Sequence, residues 1–319
     1  MVVKSYDSKY KYGVIKCLQR NFEWMNKVSE QTVDDWLKPI ISYNFGDKDV
    51  SKEEYPYKHG AVLIENDEVV GFFGMISFKE KDDNNNEYIF VSSSTWTIDE
   101  SFRGYFFQAL NEILKPNVNY FEITPIPSVA AILEKFYGFY KCGSFEYRLL
   151  PIPCELDALV CRWIENDNEL KNYDLKIDYL NHSNIYGIRL VEVVEKSTGE
   201  ACNLFYKVYD EESCRIKILK IDNPNIFSNH AHEISWKIVN KEFYSANDNN
   251  DAVIKIIDNM YNKIKVCIEC DDILICGNKL NHPLIKTSNV TRMVRPQTET
   301  KNHPMNFLYT EFALISSYI

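Results

Sequence analysis

The chain has 319 residues, 45% of them hydrophobic and 14% aromatic, which is enough for two domains with a core each. Its 36 Lys and Arg face 46 Asp and Glu, and the net charge of −10 disfavours a nucleic-acid or anionic-membrane partner. No apolar run approaches the ~18 residues of a bilayer span, and the opening MVVKSYDSKYKYG lacks an apolar h-region, so a cytoplasmic protein with no membrane partner is expected.

In chain order, a short strand leads into a helix with Val14, Ile15, Leu18 and Phe22 on one face. A second helix is expected over 32–43, capped by Thr32, with Val33, Trp36, Leu37, Ile40 and Ile41 at i, i+3, i+4, i+7 and i+8. Residues 59–78 predict a hairpin around the turn Glu65-Asn66-Asp67-Glu68, and its unbroken apolar runs imply strands covered on both faces. Residues 79–87, KEKDDNNNE, read as a surface loop.

The stretch from Phe90 to Tyr140 organises the rest: a strand, a turn and helix (ESFRGYFFQALNEILK), a second strand, and a second helix ending at Gly138. Phe106, Phe107, Leu110, Ile113 and Leu114 form an apolar stripe on the first helix. Val129, Ile132, Leu133 and Phe136 form one on the second, which Pro127 and Ser128 start. The turn before the first helix suits an anion, because the first amides of a helix have no partner within it and the dipole is positive there.

A strand pair over 141–153 and two prolines then place a domain boundary near 150–155. The second half predicts a helix over 156–168, a hairpin (185–194 and 201–208) and a strand over 214–221. Helices near 232–243 and 251–261 follow, then strands over 263–270 and 272–276 and an apolar run over 305–315. The order hairpin, strand, helix, strand repeats that of the first half. The nine cysteines are scattered and read as free thiols. Cys267 and Cys270 lie three apart on an expected strand and so face opposite ways, which leaves no metal site expected.

Four segments, IENDEVVGFFGMI, TIDESFRGYFFQAL, VNYFEITPIP and SVAAILEKFYGFYKCGSF, resemble in order the hairpin, acyl-CoA loop, fifth strand and following helix of the GNAT acyltransferase superfamily. The resemblance covers about residues 1–150 and implies an α/β (α+β) fold with a mixed sheet. It further implies an acyl-CoA N-acyltransferase-like first domain, followed over 156–319 by a second, degenerate repeat. It implies acetyl-CoA or another acyl-CoA as co-substrate and a small-molecule amine as acceptor.

Coenzyme contacts would come from the strand backbone at Trp96, Thr97 and Ile98, and from the loop amides of Phe102, Arg103, Gly104, Tyr105, Phe106 and Phe107. Relatives with a general-acid tyrosine carry it where this chain has Glu134, and Tyr137 stands nearby. Glu122 on the fifth strand is the candidate base. The chain departs from the family in placing Phe106 and Gln108 at two small-residue positions of the loop, where glycine lets backbone approach a phosphate. That departure keeps open a catalytically inactive, GNAT-like binding or assembly protein. A tandem relative using an aminoacyl-tRNA donor is a third alternative, which the acidic balance opposes.

Overall fold

The structure is a computed structural model that describes residues 1–81, 85–141, 145–152, 154, 157–210, 215–243, 267–276, 278–281, 285–296 and 307–314. The first half runs β1 (Val2–Ser5), α1 (Lys11–Asn21), a single-turn α2 (Glu23–Asn26), α3 (Glu30–Ile41), β2 (Ala61–Glu65), β3 (Glu68–Lys81) and β4 (Glu87–Ile98). It continues with α4 (Phe106–Ile113), β5 (Asn119–Glu122), α5 (Pro127–Tyr137), β6 (Tyr140–Lys141) and β7 (Phe145–Leu149). The second half runs β8 (Leu159–Ile164), α6 (Tyr173–Tyr186), β9 (Ile188–Glu195), β10 (Ala201–Asp210), β11 (Arg215–Ile221), α7 (Pro224–Phe243) and β12 (Cys267–Asp271). β13 (Ile285–Asn289), β14 (Met293–Arg295) and α8 (Glu311–Leu314) complete it.

The strands form two sheets, ordered β1-β2-β3-β4-β5-β14-β6 and β13-β7-β12-β11-β10-β9-β8. Each sheet has one parallel pair, β4 with β5 and β11 with β12, at the same place in its order. The two halves are therefore the same architecture twice, as the repeated element order predicts. Each half also lends a strand to the other. β14 enters the first sheet between β5 and β6, and β7 enters the second between β12 and β13. A boundary at 150 thus falls just after a strand that pairs only in the second sheet.

The β2–β3 hairpin turns through Asn66 and Asp67, both at positive φ (48° and 63°), as a two-residue turn between twisted strands requires. Leu63 pairs with Gly71 and Ile64 with Val69, so Val70 is an extra residue that changes which face the chain presents. On one face Val62, Ile64 and Phe72 pack with Val14, Leu18, Val33 and Leu37 of α1 and α3. On the other, Leu63, Val70, Phe73 and Val91 pack with Leu110, Ile113 and Leu133 of α4 and α5. This two-sided cover is what the unbroken apolar runs imply.

Several expectations are corrected. α3 begins at Glu30, because Ser29 rather than Thr32 is the cap: the Ser29 hydroxyl accepts the Thr32 N–H at 3.1 Å. The segment expected as a loop over 79–87 is ladder at both ends, with Lys79 paired to Ile89 and Lys81 to Glu87, while residues 82–84 lie outside the described residues. The expected helix over 156–168 is instead β8, where apolar spacing fits either form and the ladder from Leu159↔Glu195 to Ile164↔Leu190 decides. Asp272–Ile275 is a 3₁₀ turn rather than a strand, with Cys276 after it at φ +52°. α7 starts at Pro224, eight residues early, and kinks at His230. The helix expected over 251–261 and the start of the strand over 263–270 lie outside the described residues. Among the described residues no helix is long and apolar enough to cross a membrane.

A shared core joins the halves: Phe45, Phe78, Phe90 and Phe121 of the first pack with Leu149, Tyr309 and the inner faces of β9–β12. Charges are buried along the same seam. Lys48 donates to Glu80 (3.0 Å) and to Asp178 (2.8 Å), which also accepts from Lys220 at 2.6 Å and from the Tyr309 hydroxyl at 2.5 Å. These cations hold the Asp178 carboxyl well below its ordinary range despite burial, which pushes the other way.

His182 lies fully buried beside Phe45 and Tyr309, and neither ring nitrogen has a partner among the described residues. Burial, opposed by Asp178 and reinforced by Lys48, Lys220 and Lys207, pushes its pKa down to about 3. Burial and the Lys58 charge push His59 down to about 4. Both folded values lie below the unfolded ~6.5, so the unfolded chain binds more protons in between and stability falls as pH drops from about 6.5. The expected loss reaches about 1.4 kcal/mol per pH unit for each histidine. Thermal melts between pH 7 and 5 should show Tm falling with acidity, and a shallower fall in His182→Phe; equal slopes would contradict this assignment.

Candidate functional site

The site begins where two parallel strands part. The β4–β5 ladder runs from Phe90↔Asn119 to Ser93↔Glu122 and stops. Immediately beyond, two residues of β4, Ser94 and Thr95, oppose the single Gly74 of β3, which makes a bulge. A Cβ on Gly74 would sit 3.3 Å from the Thr95 nitrogen, so glycine there permits the close approach. β4 then continues through Trp96, Thr97 and Ile98, paired with Phe73, Phe72 and Gly71 of β3 on one edge. On its other edge β5 has diverged.

Between the open edge of β4 and helices α4 and α5 lies a cleft of about 530 Å³. A second hollow of about 270 Å³ adjoins it and shares Phe22, Trp96, Ile126 and Val129. Of the coenzyme residues expected from sequence, Trp96, Thr97, Ile98, Arg103, Phe106 and Phe107 line the larger cleft. Gly104 lies beside it with an ordinary φ, and a Cβ there would meet nothing within 4 Å. Tyr105 is exposed at the start of α4.

The loop differs from expectation in one respect. Residues Glu100–Tyr105 wind into a 3₁₀ helix, and the α-helix starts only at Phe106. The Phe102 N–H donates to the Asp99 carbonyl at 2.8 Å and the Phe106 N–H to the Arg103 carbonyl, so at least these two of the six expected amides are committed internally, besides those used inside the 3₁₀ helix. The bulky residues at the small-residue positions take different places. The Phe106 ring stacks on Phe73 (6.1 Å) and meets Trp96 edge-on (6.3 Å), forming cleft wall, while Gln108 is exposed. Phe107 and Phe136, expected in buried stripes, are largely exposed and pack edge to face at 5.5 Å on the cleft rim.

No protein-family model and no curated protein matches the sequence. Solved structures do. A candidate acetyltransferase of Pyrococcus horikoshii superposes over 97% of this chain and 93% of its own, with a TM-score of 0.50 and 12% identity. An acetyltransferase of the GNAT family from Streptococcus agalactiae covers 45% of this chain and 87% of its own (TM-score 0.27, 16% identity). Saccharomyces cerevisiae N-myristoyltransferase, solved with bound myristoyl-CoA, covers 92% of this chain and 78% of its own (TM-score 0.41, 10% identity). The chain has the GNAT fold, twice over.

The two GNAT units are not equivalent. In the first, β4 reaches α4 through the loop Asp99–Tyr105. In the second, β11 reaches α7 through Asp222 and Asn223 alone. Asn223 accepts the Ile226 N–H at 3.4 Å, and the Asp222 carboxylate accepts from Asn203 at 2.6 and 2.7 Å. The second unit thus has a two-residue connection closed by side-chain hydrogen bonds where the first has a seven-residue loop.

Three residues expected to do chemistry have separate fates. Glu134 is exposed on α5, ion-paired to Lys141 at 3.4 Å, and is not among the cleft-lining residues. Tyr137 donates its hydroxyl to the Phe107 carbonyl at 3.1 Å, which ties α5 to α4 and keeps it out of the lining; burial pushes its pKa up. Glu122 is the one that reaches the site. It is only 4% exposed and lines the smaller hollow. The Ser93 hydroxyl donates to one carboxylate oxygen, and the Thr124 N–H to the other at 3.3 Å. Its burial, where a solvent-facing strand edge was the alternative, follows from β14 pairing Met293 against it.

Sequence reasoning missed Asn21 and Phe22 from α1, the bulge at Ser94–Thr95, and the lining roles of Val129 and Ile132. The serine run beside Gly71 and Gly74 was the available sign of the bulge. Val129 and Ile132 read as core because an apolar cleft and a core leave the same periodicity.

Proposed function

We propose that the first GNAT unit is an N-acyltransferase that moves an acyl group from acyl-CoA to the amine of a small molecule, with Glu122 as the base. The supporting observation is the coincidence at one point of the last parallel pair, the bulge, the cleft and a buried carboxylate. Arg103 and the backbone around Gly104 would take the diphosphate, with a charge-assisted bond from the guanidinium. The open edge of β4 at Trp96–Ile98 would pair the pantetheine arm as an added strand. That arm leads the thioester toward the bulge.

The smaller hollow is lined by Ser94, Thr95, Glu122 and Thr124 below Phe22 and Trp96, which suits a polar acceptor of modest size. A buried carboxylate there attracts an ammonium group and accepts its proton, directly or through a water. The amine nitrogen then attacks the thioester carbonyl, the C–N bond forms and the C–S bond breaks. As the amide forms the nitrogen gives a second proton to solvent, and the departing thiolate takes one from solvent, since Glu134 and Tyr137 are not among the cleft-lining residues. Positioning amine and thioester together supplies most of the acceleration. A cytoplasmic setting fits, as acyl-CoA is abundant there.

Thiol release from acetyl-CoA and longer acyl-CoAs, measured over a panel of small amines, tests the reading. Glu122→Gln should lower kcat about a hundredfold at least, with KM for acyl-CoA little changed. The second reading is a coenzyme-binding protein without turnover, favoured by the lack of an acid among the cleft-lining residues. Coenzyme binding without thiol release from any amine would select it.

A further inference from the structure

We propose that Asp99 is a positioning residue for the coenzyme cleft, orienting the Asn21 amide so that its carbonyl oxygen accepts an N–H of the pantetheine arm. This rests on the coenzyme reading above. Asn21, the last residue of α1, lines the larger cleft. Its side-chain nitrogen donates to the Cys17 carbonyl at 2.8 Å and to the Asp99 carboxylate at 2.6 Å. Both amide protons are thereby used on acceptors. The reversed orientation would set a carbonyl oxygen against two other oxygens, so the partners fix which way the amide faces. With Nδ2 held, the oxygen of this cleft-lining residue is the atom left to accept, in a cleft otherwise lined largely by Phe73, Trp96, Ile98 and Phe106.

The carboxylate is itself held by Asn21, by the Cys17 thiol at 3.8 Å and by Arg20. Arg20 donates to it through Nε at 3.3 Å and Nη2 at 2.6 Å, and Nη2 also donates to the Val69 carbonyl at 2.9 Å. The Asp99 N–H donates to the Val70 carbonyl at 2.8 Å, and its own carbonyl accepts the Phe102 N–H at 2.8 Å. One residue therefore joins the end of α1 through its side chain, and the third strand and the first turn of the loop through its backbone.

Two physical consequences follow. A bare carboxylate at the start of a diphosphate-binding loop would repel the ligand, and the Arg20 guanidinium cancels that charge. The loop has also committed the Phe102 and Phe106 amides internally, so a side-chain contact with the pantetheine amides replaces affinity that backbone donors would otherwise supply. A pantetheine amide N–H buried against phenyl and indole rings without an acceptor would be left unsatisfied, which Asn21 avoids.

Calorimetric titration of the full chain with free coenzyme A tests the proposal. Asn21→Leu and Asp99→Leu should each weaken Kd about tenfold, or about 1.4 kcal/mol. The double variant should be no weaker than the worse single, because both act through one contact. The loss should fall on KM for acyl-CoA rather than on kcat. Arg20→Met, which leaves the carboxylate bare, should weaken binding too, and adding Asp99→Asn should restore most of it. Unchanged Kd in Asn21→Leu, or additive losses in the double variant, would overturn the proposal while leaving the coenzyme reading standing. Failure of the wild type to bind would remove both.

Discussion

Gly104→Trp abolishes coenzyme A binding, weakening it about a hundredfold or more, equivalent to about 2.7 kcal/mol, while Tm stays close to that of the wild type. The two halves of this expectation have separate causes. The fold does not need glycine here: φ is ordinary and a Cβ meets nothing within 4 Å. Tryptophan is also a better helix former than glycine. On the proposed reading the ligand needs the space, since the indole would stand where a diphosphate would approach the loop backbone. Calorimetry for binding and a melt for stability check it. Retained affinity in a folded Gly104→Trp would move the diphosphate elsewhere, and a collapse of Tm would show that Gly104 serves the fold.

Severing the chain after residue 150 has an effect of a different kind: neither piece folds alone. The first keeps β7 without its partners β12 and β13, and lacks β14 between β5 and β6. The second leaves β14 with no sheet to enter. The cut also removes Asp178 from Lys48 and Glu80 and leaves a buried ammonium short of a partner, which is costly in a low-dielectric interior. Arg292, nearly buried, bridges the same seam from Asp271 at 2.8 Å to the carbonyl of Ile123. Co-expressed pieces should copurify and unfold cooperatively, while each piece alone shows no cooperative transition by circular dichroism. A cooperative melt of residues 1–150 alone, near the Tm of the whole chain, would contradict the strand exchange.

Much of the first half was legible because its signals are local. Asn66-Asp67 between two apolar runs gives the hairpin, and Pro127 and Gly138 bracket α5 with the second at φ +70°. The 3.6-residue period marks α1, α3 and α4. What was not legible depends on partners distant in sequence. β8 reads as a helix by periodicity and becomes a strand because β9 offers it a ladder. α6 was not anticipated: it buries Asp178, Tyr179 and His182 between the halves, so no single apolar stripe announces it.

The exchange of β7 and β14 has no local signature, since each strand reads the same whichever sheet receives it. The site shows the same division. The loop Arg103–Phe107 and the strand Trp96–Ile98 could be found by residue type and order. Glu122 was found on its strand, but its burial depends on Met293, 171 residues away in the chain numbering. Asn21 and Asp99 lie 78 residues apart and meet only in the folded chain.

The most direct measurement is a titration of the full-length wild type with coenzyme A, acetyl-CoA and longer acyl-CoAs, followed by thermal shift and calorimetry. Ligand at a hundred times its Kd adds about 2.7 kcal/mol of stability, so the expected result is saturable heat with a clear upward Tm shift, both lost in Gly104→Trp. A cooperatively folded wild type that gives neither heat nor shift with any of these ligands would contradict the claim that the cleft beside β4 is a coenzyme site.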